Sequence, residues 1–560
     1  MTDAFTPKWW NQSSNRPGMY QRIRVFDVVD FTGGLNLATD AFKLAPNESP
    51  EMMNVDVDRR GGFQVRRGVA PYASGELPND PKNLWSYVYQ SSKYVIVQTG
   101  ADLRWSTGGT FTAMTGMGSA TETCRSATFN FNNYVVRGDA AVVKIVGSTA
   151  STTNATFAFN DDIKAPTTNN VPRAKLICAH SGYMWVANTI ESGVAKTCRI
   201  RWSHPNNPEN WRTDDYIDID IGKDGDEITA LMPVGDHLLV CKRDSMYAIY
   251  GYDFNTFSVV NISNTIGCVS QEACANTQMG VAVFDHNLGV HMYNGKNSVQ
   301  WEFSQIYPAL RDDLIPQSQV NDVQMGWLNG RLWVGVPWYE STAVRGATFV
   351  WSPMARQGGS WTRYDLKTGP FLSGHMLNEY CCAMEGTHRV MAVDQEEWGD
   401  DFGAGSLSVI NAWYRTKWFD AGQASMKKRW KRMEAVMQAE YPYELPVTVH
   451  FDFDSNSSSK TFKLKTTAAN TADDDAYWGD GTTRATDTNW GTDSDVVSAS
   501  EGIFAESGVR GAVDRGNGLG LCKSVSLTFG GPVAKQGTTD VPVFWGIDAL
   551  VFKFVPRRIR

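Results

Sequence analysis

At three places along the chain a tryptophan–serine pair opens a turn rich in Gly, Pro or Asn. Each turn is followed by a second aromatic residue and a polar strand pattern, and a short apolar strand pattern precedes each pair. The pairs are Trp105-Ser106, Trp202-Ser203 and Trp351-Ser352, the second aromatics are Phe111, Trp211 and Trp361, and the preceding strands cover 94–97, 183–186 and 332–335. This unit predicts an antiparallel β-meander.

Weaker copies of the apolar strand fill the gaps between these units, at 133–136, 238–241, 281–284 and 390–393. The strands then recur every roughly 40–58 residues across 75–415, with no helical period between them, which is typical of β-propeller blades. The sequence therefore predicts a propeller of about seven blades, with six or eight as alternatives. A set of β-sandwiches with similar hairpins is the other interpretation.

The segments on either side differ in character from the repeats. Residues 1–74 hold a polar arm with a Trp9-Trp10 pair and a predicted hairpin, in which NVDVD and FQVRR flank the turn at 59–62. Residues 416–560 hold alternating strands separated by long polar loops, which predict a jelly-roll-like β-sandwich. The predicted fold class is all-β, with an arm and hairpin (1–74), a propeller (75–415) and a C-terminal β-sandwich (416–560).

Composition limits the possible functions. Lys and Arg number 52 against 60 Asp and Glu, and the net charge of −8 argues against tight wrapping of nucleic acid, which needs a basic face. The nine cysteines are scattered and mostly lie in apolar strand patterns, as expected of reduced core residues. No apolar run is long enough to span a bilayer, and no secretory signal is recognisable at the start. We expect a chain assembled in a cytoplasm.

Several acidic patterns resemble catalytic or metal sites. The string YIDIDIGKDGDEI could hold a hard cation, although a solvated strand face followed by a turn explains it better; its acids are Asp218, Asp220, Asp224, Asp226 and Glu227. Carboxylate pairs of the kind that glycosidases need occur at 214–215, 396–397 and 400–401. The sequence lacks a nucleophile elbow, a P-loop and a dinucleotide loop. We therefore predict no enzyme activity, no cofactor and no metal.

Short basic clusters are the remaining charged motifs. In a ring of subunits they would serve as partners for carboxylates of a neighbouring subunit, while solvated charge at strand ends is the alternative. The residues are Arg59, Arg60, Arg66, Arg67, Lys427, Lys428 and Arg429.

The order of short motifs across 25–560 resembles the tail nozzle or tail tubular proteins of tailed bacteriophages and related propeller-type minor tail proteins. The motifs are GGLN…APNES…NVDVDRRGGFQVRRG, WSHPNNPENW, IDIDIGKDGDEITALMPVGDHLLVCKRDSMYAIYG, TIGCVSQEACANTQMGVAVFDHNLGVHMYNG, WFDAGQASMKKRWKRM and a closing FKFVPRRIR. The resemblance implies a propeller with added β-domains and a structural protein of the virion. It also implies a ring, commonly a homohexamer, at the distal end of a tail, which contacts adaptor and fibre proteins and lets the double-stranded genome pass.

An acidic lumen would repel DNA phosphates, because nonspecific binding scales with the phosphates neutralised. We therefore expect the acids at 218–227, or the acidic stretch 473–495, to line or gate the lumen.

Two alternative functions stay open. A distal minor tail protein would bind a host receptor or glycan, with Tyr477, Trp478 and Trp490 as stacking platforms, and a capsule-degrading propeller glycosidase would use a carboxylate pair.

Overall fold

A computed structural model describes most of the chain. The described residues are 23–117, 122–152, 157–162, 170–220, 227–253, 255–286, 289–296, 299–300, 305–307, 310, 315–340, 343–355, 358–372, 380–384, 386–395, 397–403, 405–439, 443–466, 477–478, 488–489, 509–512, 520–531 and 544–556. Their regular structure consists almost entirely of β-strands.

Seven short strands precede the repeats: β1 (Arg24–Val28), β2 (Gly34–Leu35), β3 (Glu48–Ser49), β4 (Glu51–Met53), β5 (Val55–Val57), β6 (Phe63–Val65) and β7 (Ala70–Pro71). Strands β5 and β6 pair antiparallel around the turn at 58–62, so the predicted hairpin is present. Strands β2 and β3 pair parallel as a separate two-stranded sheet.

Seven four-stranded antiparallel sheets follow and form the blades of a propeller. Blade 1 contains β8 (Pro81–Tyr89), β9 (Ser92–Thr99), β10 (Asp102–Ser106) and β11 (Thr112–Ala113); blade 2 contains β12 (Arg125–Phe129), β13 (Asn132–Arg137), β14 (Ala140–Val146) and β15 (Thr149–Thr152). Blade 3 contains β16 (Arg173–His180), β17 (Tyr183–Glu191), β18 (Val194–Trp202) and β19 (Tyr216–Asp218); blade 4 contains β20 (Ile228–Val234), β21 (His237–Lys242), β22 (Met246–Tyr250) and β23 (Ser258–Ser263).

The remaining blades follow the same order. Blade 5 contains β24 (Cys274–Thr277), β25 (Gly280–Asp285), β26 (Gly289–Tyr293) and β27 (Val299–Gln300); blade 6 contains β28 (Gln324–Leu328), β29 (Arg331–Glu340), β30 (Ala343–Ser352) and β31 (Ser360–Tyr364). Blade 7 contains β32 (Thr368–Leu372), β33 (Cys381–Met384) and β34 (Arg389–Ala392), with β7 as its fourth strand. Short 3-10 helices at Gln271–Ala273 and Gln317–Asp322 precede the first strands of blades 5 and 6.

The ring of blades closes through pairing between distant parts of the chain. Strand β7 pairs antiparallel with β34, with Met391 opposite Pro71 and Ala392 opposite Ala70. On the inner side, β32 of the last blade contacts β8 of the first. Closure by a strand from before the first blade ties the two ends of the propeller together, which leaves no open gap in the ring.

Two further sheets form the β-sandwich. Its later strands are β37 (Trp413–Arg415), β38 (Lys428–Ala439), β39 (Tyr443–Phe451), β40 (Asp454–Thr466), β43 (Val509–Ala512), β44 (Gly520–Cys522), β45 (Val525–Gly530) and β46 (Trp545–Pro556); β35 (Gly399–Asp400) with β36 (Ser408–Val409), and β41 (Tyr477–Trp478) with β42 (Thr488–Asn489), form separate pairs. One sheet has the order β43-β38-β46-β6-β5, with β1 on β46 and β44 on β38, and the other has the order β4-β37-β45-β39-β40.

The sandwich therefore takes strands from both ends of the described chain. Strands β1 and β6 pair with β46, β5 pairs with β6, and β4 pairs with β37. The apolar side chains of β1 and of the 55–65 hairpin complete a core that β38, β45 and β46 line on their inner faces. Segments 1–74 and 416–560 thus contribute to one structural unit, and 1–74 is not a separate arm in the part that the structure describes.

The propeller predicted from the repeats is present, with seven four-stranded blades among the described residues. Six of the seven apolar strand patterns lie in the second strand of a blade, where side chains are buried on both faces. The exception is 390–393, which overlaps the third strand of blade 7. The tryptophans of the Trp-Ser pairs lie in third strands, and Trp202, Trp211, Trp351 and Trp361 are buried.

Two predictions drawn from composition concern thiols and membrane crossing. All nine cysteines are free, and only Cys198 is partly accessible. In the described part of the chain, no helix has the length and apolar character that crossing a bilayer requires.

Candidate functional site

A cavity lies at the end of the propeller where the inner strands begin. Its volume is about 780 Å³, and the first residues of β8, β12, β28 and β32 line it, so it opens between blades 6, 7, 1 and 2. The 3-10 helix at 317–322 forms part of its wall. Because strands of four blades converge here, side chains that are far apart in sequence face one space. We refer to this cavity as the mouth.

The mouth carries both signs of charge. Acidic and basic side chains are equal in number among its lining residues, which include Asp80, Lys82, Glu122, Arg125, Asp322 and Lys367. Asp80 accepts a hydrogen bond from the backbone N–H of Gly386 at 2.9 Å. The side chains of Lys82, Glu122, Asp322 and Lys367 make no hydrogen bond or ion pair with another described residue.

A second cavity of about 220 Å³ continues along the propeller axis and shares Arg125, Gln324 and Pro370 with the mouth. Its wall mixes polar and apolar side chains, and four blades contribute the apolar residues Trp85, Ile177, Met325 and Phe371. The buried side-chain oxygen of Gln324 has no hydrogen-bond partner among the described residues.

An ion pair crosses this axis between blade 2 and the helix before blade 5. The Arg125 guanidinium donates from Nε and Nη2 to the two carboxylate oxygens of Glu272, at 2.7 and 2.9 Å, and from Nη1 to the carbonyl of Lys175 at 3.1 Å. Burial acts to lower the pKa of Arg125, but the charge and hydrogen bonds of Glu272 outweigh burial and raise it. The Arg125 guanidinium therefore links blade 2 to blade 3 and to the helix before blade 5.

A buried charge network joins the sandwich to the propeller. Arg66, at the end of the 55–65 hairpin, donates to both carboxylate oxygens of Asp400 at 2.8 and 2.6 Å, and its Nε donates to the side-chain oxygen of Asn54 at 3.0 Å. The side chains of Arg66 and Asp400 are 2% and 7% exposed. Removing two charges from water is costly unless each is fully paired, and here both are.

The same network continues into blade 6. Arg331 donates to Asp56 of the sandwich hairpin at 3.0 Å and pairs with Asp394, which Asn329 also hydrogen-bonds at 2.9 Å. The Tyr364 hydroxyl donates to Asp56. Burial acts to raise the pKa of Asp394, but the charge and hydrogen bond of Arg331 outweigh it and hold that pKa below its ordinary value. We call this network of Arg66, Asp400, Arg331, Asp56, Asp394 and Tyr364 the joint.

Backbone packing next to the joint is equally close. Gly34, with φ of 64°, lies so near blade 6 that an added Cβ would approach the carbonyl oxygen of Trp361 to 2.7 Å. Only glycine combines that conformation with that approach. The GGLN motif therefore marks a contact between the segment before the propeller and blade 6.

The predicted lumen acids lie at the outer strand of blade 3 and the start of blade 4. Asp218 accepts two hydrogen bonds of 2.7 Å from Arg199, and Asp220 accepts one of 2.9 Å from the Tyr247 hydroxyl. Glu227 accepts from Asn188 at 2.8 Å and pairs with Lys175 at 3.2 Å. Two of the three carboxylates are therefore neutralised within the chain. Asp224 and Asp226 lie outside the described residues.

The predicted basic residues separate into buried and exposed groups. Arg66 is buried in the joint, and Lys428 is fully buried with its ammonium donating to the carbonyls of Gln423, Met426 and Lys523 at 2.6, 3.0 and 2.8 Å. Burial lowers the pKa of Lys428. The prediction of inter-subunit pairing needs correction for these two side chains, because their partners lie in their own chain. Arg59, Arg60, Lys427 and Arg429 are exposed, and exposed Arg67 lies 4.3 Å from the Trp398 ring centre.

The candidate catalytic and sugar-stacking residues are not assembled into a site in the described part of the chain. Asp400 is bound by Arg66, and Asp215 is buried near Arg212, with burial raising its pKa. Within the described ranges, no three His, Cys, Asp or Glu side chains cluster as metal ligands would. Glu396, Trp490 and almost all of the 473–495 stretch lie outside the described residues.

Comparisons with known proteins leave the family open. No family model matches the sequence, and no curated protein matches it. Solved structures that are similar to it include BamB from Moraxella catarrhalis, with 9% identity, a TM-score of 0.34 and coverage of 62% of this chain and 94% of that chain. BBS1N in complex with ARL6DN shares 11% identity with a TM-score of 0.37, covering 60% and 97%. The Neurospora crassa Pan2 WD40 domain shares 8% with a TM-score of 0.28, covering 62% and 90%.

Proposed function

We propose that this protein is a structural subunit of a bacteriophage tail, in a nozzle-like ring at the distal end through which the genome leaves. The order of motifs that resembles nozzle proteins supports the proposal, and so does a propeller joined to a β-sandwich. The observation that carries it is the joint, because buried and fully paired charges fix the orientation of two units. A wall that must withstand a moving genome needs that fixed geometry.

The channel of this proposal lies between subunits and not along the axis of one propeller. That axis is crossed by the Arg125–Glu272 pair and leaves a cavity of only about 220 Å³. A duplex whose major groove alone is about 12 Å wide does not fit there. A closed ring, taken as a homohexamer, provides the wider passage, with tail adaptor and fibre proteins as its other partners.

Exposed charges supply contacts between neighbouring subunits in this proposal. Arg59 and Arg60 are exposed in the turn between β5 and β6, and Lys427 and Arg429 are exposed at the start of β38. Arginine guanidinium groups form bidentate hydrogen bonds with carboxylates, and a neighbouring copy of this acidic chain offers many carboxylates. In this arrangement the sandwich contributes to ring closure.

The acids at 218–227 are proposed to face the lumen. Asp218 and Glu227 already have intrachain cationic partners, so reversing them would also disturb blades 3 and 4. Asp224→Lys with Asp226→Lys is the cleaner test, since phosphates would then bind the wall. We expect slower genome ejection from phage carrying this variant in a single-particle ejection assay. Unchanged kinetics would contradict the lumen assignment and leave the ring assignment standing.

The test of the overall proposal is to locate the chain in intact virions by immunogold labelling and cryo-EM. Label at the tail tip, with ring density of about sixfold symmetry, is the expected result. Label on side appendages would instead support receptor or glycan adhesion. Absence from virions would overturn the proposal.

A further inference from the structure

We propose that the mouth of the axial cavity is a binding site for an extended polypeptide segment that carries both basic and acidic side chains. This inference concerns the propeller alone and does not depend on the function proposed above. It rests on the charges left unpaired in the cavity, on the shape of its wall, and on the ligands that this wall disfavours.

The first observation is the set of unpaired charges. Lys82, Glu122, Asp322 and Lys367 line one concave space of about 780 Å³, and none is engaged by another described residue. Lys82, Glu122 and Asp322 are exposed, and Lys367 is half-buried. Charged side chains in the joint and across the axis, by contrast, bind opposite charges closely. Two ammonium groups and two carboxylates that converge without partners match a ligand with the complementary mixture.

The second observation concerns the backbone at the wall. Register between β32 and β33 shifts between Thr368 and Phe371, which leaves Gly369 and Pro370 outside the regular ladder. Both residues line the mouth, together with the first residues of the inner strands β8 and β28. Inner strands have one edge without a neighbouring strand, and such edges offer peptide groups to an extended segment. The buried, unpartnered oxygen of Gln324 offers one more acceptor for an N–H donor.

The third observation is a group of apolar side chains in the cavity beneath the charged mouth. Trp85, Ile177, Met325 and Phe371 surround about 220 Å³ that adjoins the mouth at Gln324 and Pro370. A pocket of that kind accepts an apolar side chain between polar contacts, as peptide-recognition sites commonly do. The full site therefore suits a segment with one aliphatic residue flanked by Lys or Arg and by Asp or Glu.

Other ligand classes fit less well. The lining balances its basic residues with acidic ones, and Arg125 is already bound by Glu272, which disfavours phosphate and nucleic acid. No aromatic residue is among the described residues that line the mouth, whereas carbohydrate stacking needs an exposed ring face. The described residues hold no group of side chains suited to a metal ion.

The experiment uses the full chain and an array of synthetic octapeptides. All peptides have a Gly/Ser background with a central Leu and differ only in the number and position of Lys and Glu. We expect binding to concentrate in peptides that carry both residues and to weaken at least about tenfold in the K82E/K367E variant, since two charge contacts become repulsive. The E122K/D322K variant should lose the same peptides.

The matched control is K93E/K296E, which changes the net charge by the same amount at exposed positions outside the mouth. Its array pattern should equal that of the unmodified protein, and thermal unfolding should show that all variants are folded. The proposal is overturned if no peptide binds, if all-Glu or all-Lys peptides bind best, or if the mouth variants retain the pattern.

Discussion

The joint and the mouth are both rich in charged side chains, but the partners of those side chains differ. In the joint, Arg66 and Asp400 are buried, Arg331 and Asp394 are 16% and 14% exposed, and each binds an opposite charge within the chain. In the mouth, Lys82 and Lys367 face Glu122 and Asp322 across a cavity without closing on one another. The difference indicates two uses of charge: one fixes the position of two structural units, and the other remains available to a ligand.

The largest expected effect of a substitution belongs to the joint. Asp400→Ala leaves the Arg66 guanidinium buried without its carboxylate, and we expect a loss of about 3–5 kcal/mol in the free energy of unfolding. Urea unfolding followed by tryptophan fluorescence measures it. The control at the mouth, Glu122→Ala, should change stability by no more than about 0.5 kcal/mol. Equal losses at both positions would abolish the distinction between the two regions.

The adjacent residues Lys427 and Lys428 allow the same comparison between an exposed charge and a buried, hydrogen-bonded charge. Lys428→Met removes the donor for three buried carbonyls, and we expect a cost of about 2–3 kcal/mol. Lys427→Met, at an exposed position immediately before that strand, should cost no more than about 0.5 kcal/mol. Urea midpoints of the two variants compare them directly. A costly Lys427 variant would show that the exposed position is structurally engaged.

A smaller effect is expected for the ion pair across the propeller axis. A double-mutant cycle with Arg125→Ala and Glu272→Ala should give a coupling energy of about 1–2 kcal/mol, because the pair is bidentate and mostly buried. The pair between Arg389 and Glu76, where Glu76 is 67% exposed, should give at most about 0.5 kcal/mol. A coupling energy near zero for Arg125 and Glu272 would show that this ion pair does not stabilise the propeller.

The smallest expected effect is an opposite pH dependence of two carboxyl groups. Asp394 has a pKa below its unfolded value, so its stabilisation is present above about pH 4 and is lost as pH falls through the folded pKa. Burial raises the pKa of Asp322, so Asp322→Asn should stabilise the protein by at most about 0.5 kcal/mol at pH 7, with the gain disappearing below about pH 4.

Thermal unfolding between pH 3 and pH 7 separates these two cases. Stability of the Asp394→Asn variant should fall less on acidification than that of the unmodified chain. The same sign of pH dependence in the Asp322 and Asp394 variants would contradict the contrast between the mouth and the joint.

The propeller could be predicted from sequence because its signal is local. Trp202 and the strand 183–186 belong to one meander, and repetition of that pattern along the chain defines blades. Closure of the ring could not be predicted, because β7 is only two residues long and its partner lies about 320 residues further on. That the sandwich takes strands from both ends of the chain could not be predicted for the same reason, because the pairing of β1 with β46 leaves no local sequence pattern.

The candidate sites were harder to predict than the fold. A run of charged residues shows only that a segment is polar. Whether each charged side chain is buried depends on which face of the strand it occupies. Strand alternation gave one usable signal, because Lys428 shares its face with buried Trp430 while Lys427 and Arg429 point outward. The mouth gave none, since Lys82, Glu122, Asp322 and Lys367 meet only after seven blades close into a ring.

A sandwich assembled from distant strands has a consequence for synthesis on the ribosome. The 55–65 hairpin is translated early, but its partner strand β46 follows about 480 residues later, which at about 5–20 residues per second is roughly 24–96 seconds. During that interval the apolar faces of Phe63 and Val65 lack their native cover. We therefore expect nascent chains of this protein to depend on chaperones that shield exposed strands until the last one emerges.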